Sequence, residues 1–220
     1  MRQYTPEEMI QRAYDVIEIK NVMAAHVFYH AAGRHDLELE TLWAHKARIS
    51  WGNMDGFRYG RDVIFNMYGE PWIARESGRA ELFVHTLTTP LIEIAEDGQT
   101  AQAMWYTPGV TSGMSREPGI DEPEGSWMYE RYAIDFILED GEWKIWHFFV
   151  GTDFGFKAGT EYAEQDMPPM EQKPSTPGYL NMKAYTSKYG WCPFPQWPKP
   201  YKTWTPEIGY GPEKFLKEGE

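Results

Sequence analysis

The chain has 220 residues, enough for one domain with a real core, or for one domain plus an extended appendage. Its formal net charge of −12 gives it no general attraction to nucleic acid, which requires clustered Lys and Arg. No run approaches the ~20 apolar residues of a membrane span, and the single cysteine, Cys192, excludes an internal disulfide.

The N-terminus is polar and acidic and shows no secretory h-region, so the chain is expected to be cytoplasmic. Thr5-Pro6-Glu7-Glu8 reads as a helix start: Thr5 caps, Pro6 suits the first helical position and Glu8 completes a capping box. Apolar residues recur at helical spacing through Ile10, Tyr14, Ile17, Ala24, Phe28 and Ala31, and the helix is expected to end near Gly33. Asp36 caps an expected short helix from Leu37 to Trp43, Ala47 to Trp51 reads as a strand, and Gly60-Arg61-Asp62 opens a third helix with Val63, Ile64 and Met67 on its buried side.

From residue 80 the apolar period changes from 3.6 to 2. Strands are expected over Ala80 to Pro90, Leu91 to Ala95, Thr100 to Tyr106, Trp127 to Leu138 and Trp143 to Val150. Asp97-Gly98 and Asp140-Gly141 mark hairpin turns. Residues 112 to 125 read as a polar loop. Helices followed by antiparallel strands form an α+β pattern. Ten of the sixteen prolines lie at or beyond Pro168, so the expected division is a domain over 1–155 and an extended Pro- and aromatic-rich arm over 156–220. The arm's Trp and Tyr content argues against simple disorder and for docking on the domain or on a neighbouring subunit.

This order of elements resembles the SnoaL-like branch of the NTF2-like superfamily, a cone-shaped α+β barrel. The resemblance is carried by the helical opening that ends AAGRHDLELETLWA, by the turn from Tyr59 to Ile64, by HTLTTPLIEIAEDGQTA and by RYAIDFILEDGEWKIWHF, together spanning about residues 5 to 153. It implies a deep pocket lined by the curved sheet and the first helix. The family's dehydratases carry an acid/base histidine at the position of His85. They also place a Tyr and an Asp near the end of the first helix, where Phe28 and Gly33 stand here, with Tyr29, His26 and His30 close enough to substitute. The aromatic load and the long arm are similar to those of the sphingomonad diarylpropane lyases. That likeness implies release of formaldehyde from a lignin-derived diarylpropane to give a stilbene.

The residues themselves support a compatible chemistry. A neutral imidazole at His85 can take a proton from a hydroxyl or C–H group and return it elsewhere. Tyr59 and Arg61 flank Gly60 near a helix N-terminus, where oxygens and negative charge are favoured; they line a pocket mouth or cap a surface loop. Arg131 and Asp135 share a strand face but lie about 13 Å apart, so they cannot act on one atom. Arg131 either holds a substrate oxygen or forms a structural ion pair. Trp51, Trp105, Tyr106, Tyr129 and Tyr132 lie on or beside strands, and with Tyr29 and His30 they are the candidate wall for an aromatic substrate. His26 and His30 stand one helical turn apart, but no HExxH, carboxylate cluster or cysteine pair accompanies them, and no metal is expected. Dinucleotide, P-loop and GxSxG motifs are absent, and no cofactor is expected.

The resulting expectation is a cofactor-independent lyase on a small oxygenated aromatic compound. His85, Tyr59, Arg61 and Arg131 are its catalytic candidates, and the chain is expected to form a homo-oligomer, dimer or trimer. The alternatives are a dehydratase, isomerase or polyketide-type cyclase, and a non-catalytic binding or oligomerisation protein.

Overall fold

The computed structural model describes residues 3–68, 82–114, 122–161, 176–177, 182–186 and 188–216. The first helix, α1 (Pro6–Ala31), starts as expected: Thr5 Oγ1 accepts from the Glu8 amide at 3.2 Å while Glu8 Oε2 accepts from the Thr5 amide at 2.8 Å. Gly33, at φ 64°, turns the chain directly into α2 (His35–Thr41). Asp36 does not cap that helix; it pairs with the Arg34 guanidinium at 2.8 and 2.7 Å.

The buried face of α1 is not the apolar stripe. Asp15, Ile19, Met23 and His26 are buried, whereas Ile10 is 71% exposed, Phe28 74%, and Tyr14 and Ile17 55% each. The inward polar groups are satisfied rather than excluded: Asp15 Oδ1 accepts from the Trp143 indole at 3.1 Å and His26 bonds Glu38. Hydrophobicity alone therefore assigned the wrong face.

The hairpin of β1 (Ser50–Asn53) and β2 (Gly56–Tyr59) precedes α3 (Arg61–Tyr68), whose Ile64 is buried while Val63 is exposed. The main sheet follows: β3 (Leu82–His85), β4 (Thr88–Ile94), β5 (Thr100–Met114), β6 (Pro123–Glu139) and β7 (Glu142–Lys157), with a short β8 (Thr176–Pro177). Residues 80 and 81 of the first expected strand lie outside the described residues. The expected loop over 112–125 is strand at both ends, where Ser112 pairs Gly125, Gly113 pairs Glu124 and Met114 pairs Pro123; residues 115–121 lie outside the described residues. The β6–β7 turn has Asp140 at φ 52° and Gly141 at φ 84°, the double positive φ that Asp-Gly favours.

Strand order is β3-β5-β6-β7-β1-β2-β8, with β4 also on β5; among the described strand pairs only β1–β7 is parallel. The path does not return on itself, so the expected barrel is corrected to a curved, mixed, mostly antiparallel sheet with open ends. The fold is α+β, with α1, α2 and α3 on the sheet's inner face.

The main core lies between α1 and that inner face and includes Ile19, Met23, Trp43, Trp51, Trp105, Tyr132, Ile134, Phe136 and Phe148. A second cluster forms on the outer face, where Met182 and Tyr210 of the C-terminal arm pack on Phe57, Met104, Ala133 and Phe149. The described part of the arm thus docks on its own sheet. Among the described residues no helix is long and apolar enough to cross a membrane.

Candidate active site

Period-two alternation sends neighbouring strand residues to opposite faces, and it sorts the expected site residues into two groups. On the inner face, β3 carries His85 opposite Gly109 of β5, β6 carries Glu130 and Tyr132, and β1 carries Trp51. A Cβ at position 109 would stand 2.5 Å from Val84 O and 2.7 Å from His85 Nδ1, so only glycine lets the imidazole lie against the strand. Across from it, α1 presents His30, whose ring centroid is 5.6 Å from that of His85. Phe28 is exposed, and the α1 rings on this side are His30 and, one turn earlier, His26.

The histidines form a continuous cluster. His26 stacks on His30 at 5.7 Å, His30 tilts against His35 at 5.0 Å, and Tyr68 stacks on His35 at 4.0 Å. Tyr132 stands 5.9 Å from His85 and Phe148 4.8 Å from Tyr132, while Phe83 lies 6.1 Å from His30. His26, His35 and His85 are buried and His30, Tyr68 and Phe83 partly exposed, so the cluster opens at the His30 end.

Glu38 anchors it. Its Oε1 takes bonds from His26 Nδ1 at 2.9 Å and the Trp43 indole at 3.0 Å, and its Oε2 is bonded by His35 Nδ1 at 3.0 Å. Burial alone would raise the pKa of this carboxyl. The charge on His26 and the bonds from His26 and His35 outweigh it and hold Glu38 below the usual carboxylate range. His30, His35 and Glu38 bring one ligand atom each within 4.8 Å of one another, a donor set compatible with a metal ion. Both carboxylate oxygens are already engaged by ring N–H groups, and a metal would have to displace them.

His85 and Glu130 are the second buried pair, Nδ1 to Oε2 at 3.5 Å. Burial pushes the His85 pKa down to about 4, aided by the charge on His26 and opposed by a hydrogen bond to the Thr107 backbone. Burial pushes the Glu130 carboxyl up to about 7, against the Thr152 hydroxyl bond at 3.3 Å and with the charge of Asp153. Both shifts favour the uncharged forms. At neutral pH His85 is a neutral imidazole, and Glu130 keeps its proton to a higher pH than an ordinary carboxyl does. Burial likewise keeps the His30 imidazole neutral and the Tyr132 phenol protonated. Such a site can accept a proton at one imidazole and donate one from a phenol or carboxyl nearby.

The remaining expected residues are placed elsewhere. Arg131 is on the outer face, where its Nε bonds Asp153 Oδ1 at 2.8 Å and its Nη2 bonds Cys192 O at 2.6 Å; it ties the arm to the sheet. Tyr59 is also outward, under the Arg48 guanidinium at 4.0 Å, its phenol pKa raised by burial and by Glu213. Arg61 spends its guanidinium on the carbonyls of Leu39 and, at 3.1 Å, Ala44. Tyr106 and Tyr129 pair on the outer face at 5.9 Å, with Tyr129 stacked on Phe154. Trp105 packs in the main core against Phe136, and Tyr29 is partly buried at its edge.

Five inner residues were not anticipated: His35, Glu38, Arg58, Tyr68 and Glu130. Arg58 pairs with Trp51 across the β1–β2 hairpin and sets its guanidinium 5.3 Å from the indole ring, almost fully buried. The Asp55-Gly56 turn signal would have revealed β2 and placed Arg58, not Tyr59, on the side of Trp51.

Among curated proteins, none matches the chain. Among solved structures, the chain is similar to the hexachlorocyclohexane dehydrochlorinase LinA-type3 from Novosphingobium barchaimii LL02, at 15% identity, 73% of this chain, 99% of that one and a TM-score of 0.51. It is also similar to a protein assigned as scytalone dehydratase from Novosphingobium aromaticivorans DSM 12444, at 14% identity, 74% and 98% coverage and a TM-score of 0.53. At such identities the likeness speaks to the fold. The SnoaL-like domain model matches residues 11–148, well over half of the chain. With that match and the NTF2-like fold together, the chain belongs to the SnoaL-like domain family of the NTF2-like superfamily.

Proposed function

We propose that the protein is a cofactor-independent lyase on a small oxygenated aromatic compound, with His85 as its acid/base residue. One observation carries this reading: a neutral, buried imidazole faces His30 and Tyr132 within an aromatic enclosure. A neutral imidazole is the form that accepts a proton, and low local polarity strengthens its interaction with a developing oxyanion. The two solved structures it resembles are named as a dehydrochlorinase and a dehydratase, for loss of HCl and loss of water.

The narrower proposal is deformylation of a phenolic 1,2-diarylpropane-1,3-diol. The benzylic hydroxyl leaves as water as the para-phenol loses its proton, giving a quinone methide. His85 then takes the proton of the terminal hydroxyl. The C–C bond to that carbon breaks, its electron pair restores the phenolate ring, and formaldehyde and a stilbene are released. Arg58 on the inner face is the cation proposed to hold a substrate oxygen, and the rings of Trp51, Tyr68 and His30 lie between it and His85. Mass analysis of products decides: loss of water with formaldehyde supports the deformylase, loss of water alone a dehydratase, and unchanged mass an isomerase or cyclase. Binding without turnover would leave only a binding protein. His85→Ala, still folded, is expected to lose about 100-fold or more in turnover, the usual contribution of a general acid/base.

The exposed stripe of α1 supports self-association. Ile10, Tyr14, Ile17, Asn21, Ala24 and Phe28 are all exposed and alternate in steps of four and three, the spacing of a two-helix seam with a polar Asn at its centre. Aromatic side chains carry about 150–250 Å² each, so at these exposures a second α1 would cover on the order of 500 Å² per copy. That brings the pair to about 1,000 Å², the lower end of specific interfaces. The proposed occupant is a second copy of this chain.

A further inference from the structure

A second concavity lies on the outer face of the sheet, under the C-terminal arm. It is a cleft of about 670 Å³ with Gln102 of β5 on its floor, walls that include Phe194, Trp197 and Tyr201, and Lys199 and Lys214 exposed on its lining. Its size and its mostly apolar lining are those of a small-molecule site.

Gln102 gives the cleft its chemistry. Although only 3% exposed, it lines the cleft. Its Nε2 donates to Asp135 Oδ1 at 2.8 Å and to Ile208 O at 2.8 Å, which identifies the nitrogen end of the amide and uses both of its hydrogens. The other end, Oε1, accepts no hydrogen bond among the described residues. That oxygen is not fully buried, so it is open to water or to a donor that enters the cleft. The nearby hydroxyls do not supply one: Tyr201 Oη is 3.1 Å from Thr100 Oγ1, and Tyr210 Oη donates to Gln196 O at 2.8 Å. The floor therefore offers an acceptor, and the walls offer flat rings. The lining also carries two ammonium groups in a chain of net charge −12. Among the described residues the carboxylate on the lining, Glu207, is engaged with Thr205, and Lys214 also lies within electrostatic reach of Asp135 and Glu213.

We propose that this cleft binds a hydroxylated aromatic carboxylate. The ligand hydroxyl donates to Gln102 Oε1, its ring lies among Phe194, Trp197 and Tyr201, and its carboxylate meets Lys199 and Lys214. The site is separate from the histidine cluster. Gln102 shares the outer face with Asp135, whereas Ala101 and Ala103, its chain neighbours on β5, belong to or pack with the inner core. The inference therefore stands or falls apart from the proposed lyase activity.

The test is calorimetric titration of the full chain with 4-hydroxybenzoate, benzoate and phenol. 4-Hydroxybenzoate is expected to bind tighter than benzoate by on the order of 2- to 10-fold, the effect of one hydrogen bond to a poorly solvated acceptor. The double variant Lys199→Ala/Lys214→Ala, both at exposed positions, is expected to weaken 4-hydroxybenzoate but not phenol. Ile208→Trp, at a partly exposed position on the lining, is expected to fill the cleft and abolish binding. His85→Ala is expected to leave binding unchanged. Equal affinity for benzoate and 4-hydroxybenzoate would overturn the proposal, as would absence of binding at millimolar ligand. So would loss of binding in His85→Ala with retention in Ile208→Trp, which would move the ligand to the inner site.

Discussion

Replacing Glu130 by Gln should stabilise the protein at alkaline pH while impairing its chemistry. Glu130 is 4% exposed, and burial raises its pKa from the ordinary 4.5 to about 7. A carboxyl whose pKa is raised by folding holds its proton longer in the folded state. Between about pH 4.5 and 7 the unfolded chain gives up that proton first, so this group makes stability fall as pH rises through the window. Below about pH 4.5 both states are protonated and the penalty is absent; above about pH 7 both are ionised and it is complete. Each tenfold difference in proton affinity is about 1.4 kcal/mol, so the full penalty is about 3 kcal/mol. Gln cannot ionise, yet its amide oxygen can still accept the Thr152 hydroxyl. Urea unfolding of wild type and Glu130→Gln across about pH 4 to 8 should therefore give curves that meet near the acid end, with the variant ahead by about 3 kcal/mol at the other. A constant offset across the range, or a variant less stable at about pH 8, would show that Glu130 is ionised and held by partners, and the neutral His85–Glu130 pair would have to be abandoned. The same substitution should lower turnover if the carboxyl takes part in proton transfer, a stability gain bought with function.

Three other outcomes follow from the geometry. Glu38→Ala strands three buried N–H groups, and equilibrium unfolding should register a loss of about 3–5 kcal/mol, the usual result of removing one side of a buried charged pair; a loss near zero would mean that water replaces the carboxylate. The depressed pKa of Glu38 adds stability that is present above about pH 4.5 and is lost as pH falls toward the lower folded value, so acid unfolding should begin at higher pH in weakened variants of its partners, such as Trp43→Phe. Ile17→Glu and Phe28→Glu, at exposed positions, should shift sedimentation toward the monomer without changing the far-ultraviolet spectrum, and unchanged assembly would remove α1 as the contact surface.

The features legible in the sequence were those specified locally. The capping box needs only Thr5 and Glu8, and the β6–β7 turn needs only Asp140 and Gly141, so both were readable. His85 was singled out as an acid/base group, and it does lie on the inner face beside α1 residues. What escaped depends on partners distant in sequence. The inner face of α1 looked polar because Asp15 and His26 are satisfied by Trp143 and Glu38, neither of which any local pattern reveals. Arg61 and Arg131 looked catalytic because an unassigned guanidinium always does. Their carbonyl and carboxylate partners, Leu39, Ala44, Asp153 and Cys192, appear only once the chain is folded. The arm's route over the outer face rests on contacts such as Tyr210 N to Asp135 Oδ2 at 2.7 Å, seventy-five residues apart, and no composition argument could supply its path.

Strand β6 carries Glu130 and Tyr132 to one side and Arg131, Ala133 and Asp135 to the other. The two faces are thus written in alternate letters of one six-residue word, and neither can be edited by length. Inserting or deleting a single residue there would bring a guanidinium to His85 and leave Asp153 facing a carboxylate or phenol, spoiling both chemistries at once. Natural variants of this chain should therefore change this segment by substitution only, and tolerate added residues where β7 already bulges, opposite Tyr129/Glu130 and Asp135/Phe136.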